Sequence, residues 1–298
     1  MSTRSSINTR AFIALLAGGC AIAFGPIFVR WSDTGPVASG FWRMSLAVPV
    51  LWLWVFSLAR TRGEKTDLPL RYQHAAVLAG LFFAADLGVW HWSIAYTTVA
   101  NATLLSNLAP IFVTLGSWWL FRQRVSVPFF VGMVVALGGA ILLVGPSFHM
   151  GGMHLRGDAL GLLTAVFYAG YMLSIKQARG KTSTALLMAW STTIGAVALL
   201  PVALLSPQPF LPASAHGWIV LLGLALSSQV LGQGLIAYAF AHLPATLSSV
   251  SLLIQPVVAT LLGWIIFGEA LGAAQLFGGV LVLAGIYWAR RSSEKTSQ

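Results

Sequence analysis

Long runs of apolar residues alternate with short polar segments along the whole chain. Charges, prolines and polar clusters divide these runs into ten segments, at residues 11–30, 36–58, 74–95, 99–121, 126–145, 157–177, 184–205, 217–240, 246–267 and 271–290. Each segment is close to the ~20 residues that a helix needs to cross a bilayer. The ~10-residue alternating segments of a membrane β-barrel are not found. The pattern therefore predicts an all-α, polytopic membrane protein with ten transmembrane helices.

Composition supports a protein embedded in a lipid bilayer. The 298 residues are 57% hydrophobic and only 8% charged, whereas soluble domains carry about 25% charged residues. The net charge of +10 is spread over short loops and forms no basic stripe, so nucleic-acid binding is excluded. Cys20 is the only cysteine, so no disulfide can form within the chain.

The distribution of basic residues predicts the orientation of the spans. With the N-terminus inside, the inner segments hold thirteen lysines and arginines and the outer loops hold only Arg30 and Arg156. Basic residues concentrate in cytoplasmic loops. We therefore expect an even number of spans in the inner membrane, with both termini in the cytoplasm.

The two halves of the chain match each other at a constant offset of 146 residues. The matched pairs include Pro110 with Pro256, Thr114 with Thr260, Trp118 with Trp264, Phe121 with Phe267, Gly132 with Gly278, Gly139 with Gly285, and Arg30 with Lys176. This predicts a repeat at residues 1–146 and another at 147–298, each with five spans. Because five is odd, the repeats enter the membrane in opposite orientations, as in many secondary transporters.

Several motifs resemble the EamA-type branch of the drug/metabolite transporter superfamily. They are Ala102-Thr-Leu-Leu-Ser-Asn-Leu-Ala-Pro110, its counterpart from Ala245 to Pro256, the turn Phe267-Gly-Glu269, and Phe41-Trp-Arg43 at the start of the second span. The first repeat departs from the pattern, with Arg122-Gln123 in place of Gly268-Glu269. Within the superfamily the chain is similar to the YddG-like exporters of aromatic amino acids. The resemblance implies a ten-helix exporter with a central cavity.

Ionisable side chains inside a membrane are costly, so the few that occur are candidate functional residues. Asp86 and His91 lie in the middle of the third span, and Trp90 shares a helix face with Asp86. Asp86 is a candidate site for a proton or a substrate ammonium, or a carboxyl group bonded to a neighbouring helix. His91 is a candidate titratable cavity group, or a neutral side chain bonded to a carbonyl.

Polar and aromatic side chains in the second repeat are further candidates for substrate binding. Gln229 and Gln233 share a helix face in the eighth span, where their amides would bind a zwitterion or join helices. Tyr168 and Tyr171 in the sixth span would line an aromatic cavity or belong to an interfacial belt. Arg43 is expected to snorkel to the outer headgroups, with a pore-lining position as the alternative.

Three prolines interrupt the spans at positions that could act as hinges. Pro26 lies in the first span, and Pro110 and Pro256 lie at matching positions of the fourth and ninth. Proline removes a backbone donor and breaks the helix ladder. Matching breaks in two repeats indicate a hinge or a binding site, although static kinks are an equal alternative.

The sequence predicts a secondary transporter for a small-molecule substrate, with alternating access and no cofactor or metal. The expected solute is a neutral or aromatic amino acid moved outward. Other drug-like or sugar metabolites are the alternative. An integral-membrane enzyme is a less favoured option, because HExxH, a Walker A loop and clustered carboxylates do not occur in the sequence. The oligomeric state is left open, a monomer being one option.

Overall fold

All regular structure in the described residues of a computed structural model is helical. These residues are 8–97, 99–144, 155–179 and 182–296. The helices are α1 (Thr9–Ala23), α2 (Gly25–Trp31), α3 (Pro36–Arg62), α4 (Leu70–Tyr96), α5 (Val99–Ser106), α6 (Ala109–Phe121), α7 (Val127–Val144), α8 (Leu155–Arg179), α9 (Thr184–Leu204), α10 (Ala215–Leu224), α11 (Gly234–His242), α12 (Ala245–Ser251), α13 (Ile254–Phe267) and α14 (Ala273–Thr296), with a π-helical segment, Ala225–Gln233, between α10 and α11. The all-α prediction is confirmed.

The bundle has the hydrophobic surface of a multi-pass membrane protein. Within the described residues, nine helical rods are long and apolar enough to cross a membrane. The predicted fifth span corresponds to α7, whose apolar stretch Val127–Leu143 is shorter than these nine, so the count of ten is not confirmed. Large apolar side chains face outward, for example Leu53 and Trp119, which are 68% and 75% exposed. Such a surface is stable against lipid and would be unfavourable in water.

Three spans consist of two short helices in tandem. The breaks fall between α1 and α2, between α5 and α6, and between α12 and α13. Pro26, Pro110 and Pro256 each lie in the first turn of the second helix. The missing backbone donor of proline has no helical partner in a first turn, so proline is tolerated there. The residues that carry the breaks were thus identifiable from the sequence, but hinge motion at them stays a prediction.

Glycines allow α7 and α14 to pack at backbone contact. A Cβ atom on Gly132 would lie 3.0 Å from the carbonyl oxygen of Gly285, and one on Gly139 would lie 2.6 Å from that of Gly278. The two helices are therefore antiparallel. Gly132 matches Gly278 in the other repeat, and Gly139 matches Gly285. Replacing each glycine by its match therefore turns the contact of Gly132 with Gly285 into the contact of Gly278 with Gly139. A two-fold relation between the repeats, with its axis across the helices, produces this pattern.

Loop contacts define the two faces of the bundle. Residues 32–35 contact residues 205–214 through the bond from Gly35 N to Pro209 O, and we call this the front face. Residues 63–69 lie at the opposite end, the back face. Arg290 near the end of α14 lies over the ring of Phe12 near the start of α1. Both ends of the described chain therefore lie at the back face.

Candidate functional site

A cavity of about 700 Å³ lies in the centre of the bundle between the two repeats. Its walls come from α1 to α5, α8, α10, the π-helical segment and α13, and most of them are apolar. It reaches the front face at Arg30 and Pro36. The polar lining side chains are Arg30, Arg43, Asp86, Trp90, Thr103, Ser106, Asn107, Thr164, Tyr168, Gln233 and Gln255. An apolar pocket with a few converging polar groups is the usual form of a small-molecule site.

Four of the side chains predicted for the site line this cavity. They are Asp86, Trp90, Tyr168 and Gln233, contributed by α4, α8 and the π-helical segment. The predicted hinge residues Pro26 and Pro256 also line it, whereas Pro110 is buried elsewhere. The side chain of His91 lies outside the described part of the structure.

Two predicted binding residues lie behind the cavity wall instead of on its surface. Tyr171 is 3% exposed, and its hydroxyl donates to Gln233 Oε1 at 2.9 Å. Gln229 is 1% exposed and joins α3 to α9. Their hydrogen bonds turn these two side chains toward neighbouring helices, so substrate contact by Tyr171 and Gln229 stays a prediction. The hydrogen bonds of Gln229 to Arg43 and Thr192 fit the other interpretation, in which its amide joins neighbouring helices.

The side chain of Arg43 lies in a different place from the one that the sequence predicted. Snorkelling to the headgroups was expected, but the side chain turns into the bundle and lines the cavity. Its guanidinium lies over the ring of Phe83, 5.3 Å from the centroid. Arg43 is the eighth residue of α3, about 12 Å along the helix at 1.5 Å per residue. The available signal was its position well inside an apolar run, which for a cation indicates a buried function.

A chain of hydrogen bonds fixes the orientation of Arg43. Its Nε donates to Gln229 Oε1 at 3.1 Å, and Gln229 Nε2 donates to Thr192 Oγ1 at 3.0 Å. These bonds connect α3, the π-helical segment and α9. π-Helical turns frequently occur at functional sites, and here the segment carries both Gln229 and Gln233. The hydrogen bond to Gln229 uses Nε of Arg43 and leaves the terminal nitrogens of the guanidinium for other partners.

Two buried donors at the cavity have no partner among the described residues. They are Arg43 Nη2 and Asn107 Nδ2. A buried donor without an acceptor costs about 1–3 kcal/mol, and more when it is charged. Both would be satisfied by an acceptor that enters the cavity. This arrangement favours a ligand that carries oxygen acceptors, such as a carboxylate.

The two faces of the bundle differ at positions that the repeat makes equivalent. Pro26, Val29, Gly40 and Ile94 line the cavity toward the front face. Their counterparts at an offset of 146 are buried toward the back face, with exposures of 3% or less, and these are Met172, Ile175, Leu186 and Phe240. The structure is therefore open at the front and packed at the back.

The matched cations Arg30 and Lys176 have different partners at the two faces. Lys176 Nζ donates to the carbonyl oxygens of Phe240 and Leu243 at 2.9 and 2.8 Å, at the end of α11. A cation at a helix C-terminus stabilises the unpaired carbonyls there. In the first repeat, the carbonyls at the matching positions belong to Ile94 and Thr97 at the end of α4. In the described residues Arg30 pairs instead with Glu269 and lies 4.0 Å from the centroid of the Phe267 ring.

Metal-binding chemistry has no candidate site in the part of the chain that the structure describes. Groups of three or more His, Cys, Asp or Glu side chains that could hold a metal ion are not found there. Among the described residues that line the cavity, Asp86 is the only one with a carboxylate. The described side chains of the lining offer ion pairing, hydrogen bonding and apolar contact.

Comparisons with known proteins agree with this architecture. The family described as the EamA-like transporter family matches residues 9–145 and again residues 155–291. The pseudopaline exporter of Pseudomonas aeruginosa (strain UCBPP-PA14) is 28% identical, over 93% of this chain and 94% of its own. A protein of Streptantibioticus cattleyicolor named "Probable terminal-alkyne amino-acid exporter" is 26% identical, over 89% and 88%. A solved crystal structure matches with a TM-score of 0.79 and 19% identity, over 96% and 98% of the two chains, which shows a shared fold.

Proposed function

Because the chain belongs to the EamA-like transporter family, we propose that it exports neutral or aromatic amino acids and related metabolites as a secondary transporter. One observation carries the proposal. A largely apolar cavity of about 700 Å³ lies between the repeats, is open at one face, and contains side chains of both charges. The relatives that are named for pseudopaline and for a terminal-alkyne amino acid support a substrate of this class.

The proposed membrane topology has ten spans in the inner membrane with both termini in the cytoplasm. The contact of Phe12 with Arg290 supports an even number of spans, since it brings the start of α1 and the end of α14 to one face. Helix α7 is then the fifth span, and the repeats 1–146 and 147–298 are inverted. The front face, where the cavity opens, is the outer face in this orientation.

The proposed mechanism is alternating access, in which the repeats exchange their arrangements. The residues at the open front and those at the packed back occupy matching positions of the two repeats, at an offset of 146. If the repeats exchange arrangements, the front closes and the back opens. In inverted-repeat transporters the solute site lies near the midplane between such repeats. Asp86, Trp90, Tyr168 and Gln233 are the proposed substrate contacts, with His91 as a further one.

Two other functions follow from the alternatives raised by the sequence. A drug-like or sugar substrate would use the same cavity with other contacts. An enzyme would need a nucleophile or a metal-held water at the cavity, and the lining offers neither a cysteine nor a histidine among its described residues. Transport of an amino acid is favoured because the cavity contains both a carboxylate and a guanidinium.

Uptake into proteoliposomes tests the proposal. Purified protein is reconstituted and supplied with labelled neutral and aromatic amino acids, sugars and a cationic drug, with and without a pH gradient. We expect at least one amino acid to enter roughly tenfold faster than into protein-free vesicles, a difference of about 1.4 kcal/mol in barrier height. Uptake only under the gradient would make Asp86 and His91 the candidates for proton coupling. Uptake of sugars or the drug alone would replace the amino-acid proposal, and no uptake of any solute would contradict transport.

A further inference from the structure

We propose that the cavity binds its solute as a zwitterion, with the carboxylate on the guanidinium of Arg43 and the ammonium on the carboxylate of Asp86. We call this pair of side chains the charge clamp. The inference rests on the proposed transport function and narrows its substrate to molecules that carry both charges close together. It adds Arg43, which the sequence placed at the headgroups, as the residue that determines specificity for a carboxylate.

The guanidinium of Arg43 is positioned to receive a carboxylate. Its Nε is held by Gln229, and one of its faces rests on the ring of Phe83. Nη2 is buried without a partner in the described structure, although the side chain lines the cavity. An arginine with free terminal nitrogens binds carboxylates through two parallel hydrogen bonds. A bound carboxylate would therefore satisfy the buried donor and neutralise the cation.

Asp86 supplies the opposite charge in the same cavity. It lies one turn of α4 beyond Phe83, the residue on which Arg43 rests. Among the described residues Asp86 has no hydrogen bond and no ion pair with Arg43, although both side chains line the same cavity. Charges buried in a membrane usually pair directly with each other. A gap between two such charges leaves room for a ligand that bridges them.

The charge balance of the cavity favours a zwitterion over an anion or a cation. Apart from the clamp, Arg30 at the front face is the only charged side chain among the described residues that line the cavity, and Glu269 already pairs with it. The described lining of the interior thus holds one positive and one negative side chain. A ligand with a single charge would leave the other member of the clamp unpaired in an apolar site, which is costly. A zwitterion compensates both.

The neighbouring side chains fit the rest of such a molecule. Asn107 Nδ2, the second unpartnered donor, offers a further hydrogen bond to an acceptor. Leu87 and Trp90 are placed on the α4 wall within one turn of Asp86 and offer apolar contact to a side chain. The volume of about 700 Å³ lies within the range of small-molecule sites and accommodates side chains of different sizes.

Binding of three forms of one carbon skeleton tests the clamp. The probes are L-phenylalanine, 3-phenylpropionate, which lacks the amine, and 2-phenylethylamine, which lacks the carboxylate, together with the matching set for L-leucine. Affinities are measured on the purified full-length protein by titration calorimetry. We expect the zwitterions to bind on the order of a hundredfold more tightly than either analogue, the usual scale for a desolvated charge pair.

Substitutions separate the two halves of the clamp. Arg43→Gln is expected to lower zwitterion affinity on the order of a hundredfold and leave the affinity for the amine unchanged. Asp86→Asn is expected to do the same while leaving the affinity for the carboxylate analogue unchanged. Arg43→Lys keeps the charge but not the two-pronged geometry, so it should recover part of the loss. A purely structural role for either residue would weaken all three probes equally.

Matched controls are Arg124→Gln and Asp67→Asn, the same changes at exposed positions in loops at the back face. Melting temperatures of all variants check that each is folded. Equal affinities for the three forms, or no affinity for either zwitterion, would overturn the clamp. Transport of another solute by the same preparation would leave the proposed transport function intact, so the two failures are distinguishable.

Discussion

Leucine in place of Gly139 is expected to prevent the accumulation of folded protein, whereas leucine at the adjacent Gly138 should be tolerated. A Cβ atom on Gly139 would lie 2.6 Å from the backbone atoms Gly278 O and Val282 N, while one on Gly138 would meet nothing within 4 Å. Backbone cannot move aside as a side chain does. Overpacking of this kind costs about 3 kcal/mol or more, whereas removal of a glycine from an open helix position gains up to about 1 kcal/mol.

The comparison of Gly139→Leu with Gly138→Leu needs only expression level and thermal stability in detergent. Both variants add the same side chain to the same helix, so differences in hydrophobicity or translation cancel. Folding of Gly139→Leu with an unchanged melting temperature would contradict the contact between α7 and α14. That result would also remove the main structural support for a two-fold relation between the repeats.

Methionine in place of Lys176 is expected to shift the protein from the state open at the front toward the state open at the back. Lys176 holds the carbonyls of Phe240 and Leu243 at the closed face, while the matched Arg30 is engaged with Glu269 at the open face. In the exchanged state, Arg30 would bind the carbonyls of Ile94 and Thr97, and Lys176 would be released. Loss of the Lys176 bonds therefore destabilises only the present state, by about 2 kcal/mol, or roughly thirtyfold in population.

Thiol labelling at two matched positions measures this shift. Val29→Cys, at a half-buried position that lines the cavity, and its buried counterpart Ile175→Cys are introduced separately into a Cys20→Ser background, since Cys20 is the only cysteine. In nanodiscs both faces are accessible, and Lys176→Met should slow labelling at Val29→Cys and speed it at Ile175→Cys. Lys65→Met, at an exposed position in the loop 63–69, is the matched control. Faster labelling at both positions would contradict exchange between two states and would indicate a loosened bundle.

The apolar spans could be predicted from the sequence because lipid imposes their length, and the repeat could be predicted because duplication leaves matching residues. Apolar length follows from bilayer thickness, and the match of Pro110 to Pro256 follows from duplication, so neither requires knowledge of the packing. The breaks in the helices were likewise visible as prolines. The number of crossings does not follow from apolar length alone, since the apolar stretch of α7 is shorter than that of the other spans.

The side of a helix on which a polar residue functions could not be predicted, because it depends on the neighbouring helices. Gln229 and Gln233 are four residues apart and share a helix face in the sequence pattern. In the structure Gln233 lines the cavity, whereas Gln229 lies behind the wall and accepts a hydrogen bond from Arg43. Arg43 lies in the first third of α3, where the sequence pattern is the same for a side chain that snorkels and for one that turns inward. Only the positions of Phe83 and Gln229 show that the guanidinium turns inward.

Substrate counterflow tests alternating access most directly. Proteoliposomes are loaded with a high concentration of the unlabelled amino acid that enters fastest, and are then diluted into a trace of the same labelled amino acid. If a single site is exposed to each side in turn, label should accumulate inside transiently, above its final equilibrium level. The reason is that each outward movement of unlabelled solute returns the site to the outside, where it binds label and carries it inward. A monotonic rise to equilibrium would indicate a continuous pore and would contradict alternating access.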